Sequence, residues 1–377
     1  MTRSVNRERC SRHRYHRPVD DDPARWFAPT DGLSYLDSAT YGLPPIPTVD
    51  ALSGALSAWQ AGSAYWIDDW DVAADRARAS FAGLVGLPPG DVSLAPAASV
   101  GVGIVAASLT ASDRVVVPDD EFTSLLFPLL VAEQRGVTMT RVPFEALTER
   151  IEPGTTLVAT SLVQMQTGRV AALEALLDRA GEVGARVLVD ATQGLPFVGV
   201  RGEMARVDYM VCAAYKHLLC PRGVAFFVVR AEHHDALAPW NANWRAADDP
   251  YGRYAGGSLT LAEGAARFDV SVAWLPWVGG AVSLELIREW SEAGLLARPV
   301  AMAADLAGRL GVDHGGASIV CVPVADRDAT SAALDRARVK GGFRGDGVRL
   351  STHVYTTEAD IERAEEALLP LLASARS

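Results

Sequence analysis

At 377 residues the chain is long enough to bury a large core and, by length, to form two or three domains. Its 49% apolar and 21% charged residues are those of a globular protein, which excludes a fibre or a disordered chain. The net charge of −11 excludes a general nucleic-acid binder, and no apolar run reaches the length of a bilayer, so neither nucleic acid nor membrane is expected as a partner.

Met1 to Arg17 is rich in Arg and His without an apolar stretch, and residues 1–25 read as a disordered basic tail. The four cysteines (Cys10, Cys212, Cys220, Cys321) lack metal-ligand spacing. With no secretory signal in view, they predict a reducing, cytoplasmic setting. From Asp91 onward, short apolar runs alternate with amphipathic stretches. Val92–Leu94 precedes a helix over Val100–Leu109, Arg114–Val117 precedes Ser124–Gln134, and Leu157–Ser161 precedes Leu173–Val183; Arg186–Asp190 follows. This alternation predicts a mostly parallel sheet wrapped by helices, with the site beyond the carboxyl ends of the strands, where Asp190 falls.

Val207–Ala214 and Gly223–Val229 are joined by a loop too short for a parallel crossover, which permits an antiparallel pair. Ala238–Gly257, rich in Trp, Asn, Gly and Tyr, reads as a loop near the site. From Ala281 come helices and then a small αβ unit, with strands at Ile319–Pro323 and Val348–Ser351 and a closing helix over Glu358–Leu372. The division expected is a large unit over 26–260, whose segment 26–60 contributes to the small unit or an interface, and connecting helices with a small C-terminal α+β domain over 261–377.

Asp190 ends one apolar run, and Lys216 follows another 26 residues later. A strand-end carboxylate followed by a strand-end lysine is what pyridoxal 5′-phosphate (PLP) requires. The lysine holds the cofactor as a Schiff base, and the aspartate keeps the pyridine nitrogen protonated. Gln193, three residues past Asp190, is placed to reach the cofactor's ring oxygen. Taken singly, Asp190 also fits a turn cap and Lys216 a solvated loop residue; together they favour chemistry.

Around these residues the chain resembles the class V aminotransferase family of fold-type I PLP enzymes, which includes cysteine desulfurases, kynureninases and isopenicillin N epimerase-like proteins. The likeness runs from about Trp26 to Leu372. It is carried by Tyr35-Leu36-Asp37-Ser38-Ala39-Thr40, by the segments around Asp190 and Lys216, by Leu219-Cys220-Pro221-Arg222-Gly223, and by Gly347-Val348-Arg349-Leu350-Ser351. The resemblance implies a mostly parallel seven-stranded sheet flanked by helices and a homodimer with its sites at the interface. It also implies Lys216 as the Schiff-base lysine, Asp190 as the pyridinium partner, Gln193 as a ring-oxygen contact and Phe122 as the ring stacked on the pyridine. Ala98 and Ser99, in Ala97-Ala98-Ser99-Val100, fall where relatives wrap the phosphate at a helix start. Arg349 is implied as the fork for the substrate α-carboxylate. Gly101-x-Gly103 lacks the third glycine of a dinucleotide site.

Several positions depart from the family pattern. Met165 stands where many relatives carry asparagine, leaving Gln164 or Gln166 as substitutes. Ala213 replaces a phosphate-binding hydroxyl, and Arg267-Phe268-Asp269-Val270-Ser271 replaces a segment whose threonine reaches the partner's phosphate; Ser271, Tyr215, Arg222 and Trp274 are the candidates to compensate. Tyr41, Trp66 and Trp244 are candidates for the substrate pocket, and Trp244, Trp274, Trp277 and Trp290 for apolar surface at a dimer interface. The loop Ala337–Gly347 holds no cysteine, which argues against desulfuration through a persulfide. The leading expectation is amino-group transfer from a small-molecule α-amino acid. A β-eliminating carbon–sulfur lyase, an epimerase and a non-catalytic PLP-fold protein stay open; a nicotinamide dehydrogenase is a weaker rival.

Overall fold

A computed structural model describes residues 22–28, 30–252 and 254–375. Of the expected tail only residues 22–25 are described; Pro23–Trp26 form one 3₁₀ turn capped by the Asp22 carboxylate, and Cys10 lies outside the described residues. The chain opens with β1 (Ser34–Tyr35), α1 (Ile46–Gln60) and α2 (Val72–Val85). Strands and helices then alternate: β2 (Val92–Ala95), α3 (Ala98–Ser108), β3 (Arg114–Pro118), α4 (Thr123–Glu133), β4 (Thr138–Val142), β5 (Leu157–Ser161), α5 (Leu173–Val183), β6 (Arg186–Asp190), β7 (Tyr209–Ala213) and β8 (Ala225–Val229). The remainder comprises α6 (Trp274–Glu292), α7 (Ala297–Leu310), β9 (Ile319–Pro323), α8 (Arg327–Ala337), β10 (Val339–Lys340), β11 (Gly342–Arg344), β12 (Gly347–Ser351) and α9 (Glu358–Ala375).

Seven strands form one sheet in the order β2-β8-β7-β6-β5-β3-β4. The pairs from β4 through β7 are parallel, and β8 alone runs against both its neighbours. The β7–β8 pair is the antiparallel one expected from its short connection. Both faces of the sheet are buried, and successive residues supply the two faces in turn. Val187, Val189, Met210, Cys212, Phe226 and Val228 join a core with α2, α5 and α6; Leu188, Tyr209, Val211, Phe227 and Val229 join another with α3 and α4. Strand β4 was not expected. As an edge strand it buries only Val142, so its sequence lacks the apolar run that marks its neighbours.

Gly101 explains part of the Gly-x-Gly pair. A Cβ there would meet Phe227 and Val211 side-chain atoms at 2.7–2.8 Å, so the glycine lets α3 lie directly on the sheet.

The small unit is an antiparallel sheet, β11-β12-β9, packed on α7, α8 and α9 through Leu306, Leu310, Val320, Val322, Leu350 and Ile361. β1 pairs in parallel with β10, and Leu36 enters this third core, so the N-terminal segment docks here. Trp277 and Trp290, expected as interface surface, are instead 1% exposed in the core under α6. A helix that packs on α1 and α2 turns its indoles inward, where their large apolar area is best buried. No helix among the described residues is long and apolar enough to cross a membrane.

Candidate active site

Asp190 closes β6 at the carboxyl edge of the sheet, paired across from Ser161 at the end of β5. It is buried, and its Oδ1 accepts the Thr192 N–H at 2.9 Å. Burial raises its pKa, against the pull of Thr192 and the Lys216 charge. Lys216 lies in the turn after β7, a tight loop closed by Leu219 N–H to Lys216 O (3.1 Å) and Cys220 N–H to Ala214 O (3.0 Å). Leu219 takes φ 59°, a left-handed conformation costly for a leucine and held by its buried side chain. A Cβ on Gly42 would lie 2.2 Å from Lys216 O, so only glycine lets the N-terminal segment back onto this turn.

Lys216 as a residue is 6% exposed, and its amine makes no hydrogen bond among the described residues. Burial, opposed by Asp190 and reinforced by Arg349 and Arg344, lowers its pKa to about 8. Its Nζ sits 5.2 Å from the Phe122 ring centroid and 5.9 Å from that of Tyr215. Phe122 is fixed by Glu121, whose carboxylate accepts the Phe122 N–H (2.7 Å), the Ser161 N–H (2.7 Å) and the Ser161 hydroxyl (2.5 Å). Burial still pushes Glu121 up to about 7. No side chain caps α3 at its N-cap, Ala97, and while the Val100 N–H bonds Ala97 O, the Ala98 and Ser99 N–H groups remain open to an anion. Arg222 stacks 5.1 Å over Tyr215. Ser271 is exposed and accepts the Trp244 indole N–H, while Trp274 donates to Asp71 and stacks on Trp66. Trp66 and Trp244 thus belong to one aromatic cluster.

Arg349 on β12 is 1% exposed. It donates to Met165 O (3.0 Å) and Thr40 Oγ1 (2.8 Å), lies 3.8 Å from Asp37, and keeps a buried Nε with no partner. Burial and the neighbouring Arg344 lower its pKa to about 10. Tyr41, next to Thr40, is 44% exposed, and its carbonyl accepts the Tyr35 hydroxyl. Gln193 donates one amide N–H to Ala39 O at 3.1 Å, so its Oε1 must accept from His217 Nε2, also at 3.1 Å. That fixes the His217 tautomer and leaves its buried Nδ1 without a partner. The second amide hydrogen of Gln193 makes no bond among the described residues. Gln164, a candidate substitute for the missing asparagine, is committed to its own turn and to Asp120.

Residues 35–292 match the class V aminotransferase family. The chain belongs to that family. It is 27% identical over 318 residues to the uncharacterized aminotransferase YcbU of Bacillus subtilis, covering 78% of this chain and 84% of that one. It is 26% identical over 337 residues to an isopenicillin N epimerase of Streptomyces clavuligerus, covering 78% and 83%. Among solved structures, a variant of C-DES with glycine covalently linked to its PLP cofactor superposes with a TM-score of 0.81 at 19% identity, covering 90% of this chain and 97% of that one. That likeness shows the fold-type I arrangement.

The residues of this class V protein fit the expected PLP. A buried, partnerless amine lies over an aromatic face, a buried carboxylate stands at the adjoining strand end, and an open helix start is available for the phosphate. The orphaned Arg349 Nε fits a substrate carboxylate. Sequence reasoning missed Glu121, Thr40, Arg344 and His217, whose partners are brought in from distant segments. A cavity of about 1100 Å³ lined by Arg169, His314 and Cys321 includes neither Lys216 nor Asp190. Asp208, Glu232 and His233 cluster as a cation could require, but Arg230 already bonds both carboxylates.

Proposed function

We propose that this PLP-dependent enzyme transfers the amino group of a small α-amino acid to its cofactor and on to an acceptor 2-oxo acid. The observation that carries the reading is the Lys216 amine, buried and partnerless over Phe122, with charges from both Asp190 and Arg349 acting on it. Bound PLP supplies an electron sink that acidifies the bonds at the substrate α-carbon. Arg349 offers its free Nε edge to the α-carboxylate and so orients the α-carbon toward Lys216. Asp190, held at Oδ1 by Thr192, would pair with the cofactor's ring nitrogen, a cation that offsets the burial raising its pKa. Phe122, locked by Glu121, would cover one face of a bound cofactor ring. Lys216, its pKa lowered to about 8, is the group placed to take the proton from the substrate α-carbon and to hand it on. One base that both removes and returns the proton is what amino-group transfer requires.

The test is a single turnover of loaded protein with a panel of amino acids, measuring one 2-oxo acid per site and its loss in Lys216→Ala. Thiol release with pyruvate would replace this reading with β-elimination, and loss of optical rotation without an oxo acid would replace it with epimerisation. Two expectations stay with the proposal. One is a cytoplasmic setting, which free Cys212, Cys220 and Cys321 suit. The other is a homodimer, for which exposed Trp59, Tyr65 and Trp240 supply apolar area; sedimentation as a monomer with full cofactor would remove it. The division proposed stays at residues 260 and 261, although α6 packs with α1 and α2 in the core of the large unit.

A further inference from the structure

The hairpin β11–β12 turns through the two-residue loop Gly345–Asp346, with Gly342 opposite Arg349 and Arg344 opposite Gly347. Strand side chains alternate, so this register brings Arg344 and Arg349 out on one face. Both guanidiniums donate to the same atom, Thr40 Oγ1, at 3.0 and 2.8 Å. That hydroxyl spends its own proton on Asp37 Oδ1 at 2.6 Å, so its two lone pairs and its donor are all in use. Thr40 therefore holds two cations side by side.

Adjacent like charges repel unless an anion joins them. The protein's own compensation is one carboxylate, Asp37, 3.8 Å from Arg349; Arg344 is half-buried and has no ion-pair partner among the described residues. Arg344 also depresses the proton affinity of both Arg349 and Lys216, which places it in the same electrostatic neighbourhood. An α-carboxylate occupies one guanidinium edge, and Arg349 offers the vacant one. Arg344 is then left without a counter-charge.

We propose that Arg344 recognises a second anionic group, so that the substrate is an α-amino acid with an acidic side chain. This assignment rests on the α-amino-acid reading above. The test compares isosteric pairs, aspartate with asparagine and glutamate with glutamine, by titrating the cofactor absorbance of the loaded protein and by equilibrium dialysis. The acid is expected to bind about tenfold or more tightly than its amide. Arg344→Gln should collapse that ratio toward one, and Arg344→Lys should restore part of it. A ratio near one in the wild type overturns the proposal and leaves the amino-acid reading standing if alanine still shifts the absorbance. A ratio that survives Arg344→Gln, with acid and amide weakened together, also overturns it, because it would show a merely structural role. If no amino acid shifts the absorbance and Lys216→Ala leaves it unchanged, both readings fall.

Discussion

The Lys216 amine should titrate far below an ordinary lysine, and the chain is well suited to showing it. Only two lysines occur in the sequence, Lys216 and the exposed Lys340, so each labelled peptide reports one side chain. Burial lowers the Lys216 pKa from 10.5 to about 8. At about 1.4 kcal/mol per unit this is a bias of about 3 kcal/mol toward the neutral amine. At pH 7.5 about a quarter of Lys216 is then free base, against about one part in a thousand for an unshifted lysine. The folded chain holds less proton than the unfolded one between about pH 8 and 10.5, so this group makes stability rise with pH through that window. Competitive acetylation of protein stripped of cofactor, read by peptide mass spectrometry against Lys340, gives the value directly. Asp190→Asn removes the opposing attraction and should lower it further. An unshifted Lys216 with a pKa above 10 would refute the reasoning, since it would mean that water reaches the amine.

Two further outcomes follow from the same geometry. Arg349→Lys keeps a charge but loses the planar fork that spans Met165, Thr40 and a carboxylate; substrate affinity should fall by about 1.5–3 kcal/mol, measured as a tenfold to hundredfold weaker absorbance titration, and an unchanged affinity would place the carboxylate elsewhere. Asp269, 1% exposed, binds Arg78 at 2.5 Å, the Leu94 N–H at 2.8 Å and the Ser93 hydroxyl at 3.1 Å; Asp269→Ala leaves Arg78 with Asp75 and Val92 O but leaves the buried Leu94 N–H unsatisfied, and should cost about 1–3 kcal/mol in denaturant unfolding, with no measurable loss counting against it.

The sheet is legible in the sequence where burial is two-sided. Val187-Leu188-Val189 and Ala225–Val229 supply apolar atoms to both faces, so they read as continuous runs ending at chemically distinct residues. β4 escapes because an edge strand need not be apolar, and β11 because Gly342-Phe343-Arg344 has no periodicity to detect. Asp190 and Lys216 stand out because a charged residue at the end of a buried strand has little structural reason to be there. Arg344 and Thr40 do not, because their bond joins residues 304 apart, and no local pattern encodes that contact.

The segment from Ser34 to Gly42 makes the site a property of both units. Ser34 and Tyr35 pair with β10, the Leu36 carbonyl accepts the Ser351 N–H at 2.7 Å, and the Ala39 N–H donates to Ser351 Oγ at 2.8 Å, all on the small unit. Within the next few residues Ala39 O accepts Gln193, and the Gly42 N–H donates to Tyr215 O at 3.0 Å, on the large unit. Thr40, between these anchors, holds the two arginines. The half that carries Lys216 and Asp190 and the half that carries Arg344 and Arg349 are therefore bridged by nine residues of chain, in addition to direct bonds such as Arg349 to Met165 O and His353 Nε2 to His217 O. Gly42 lies directly on the backbone of the Lys216 turn, where a Cβ would meet Lys216 O at 2.2 Å. The turn that carries Lys216 and the strand that carries Arg349 thus share one packed segment of chain.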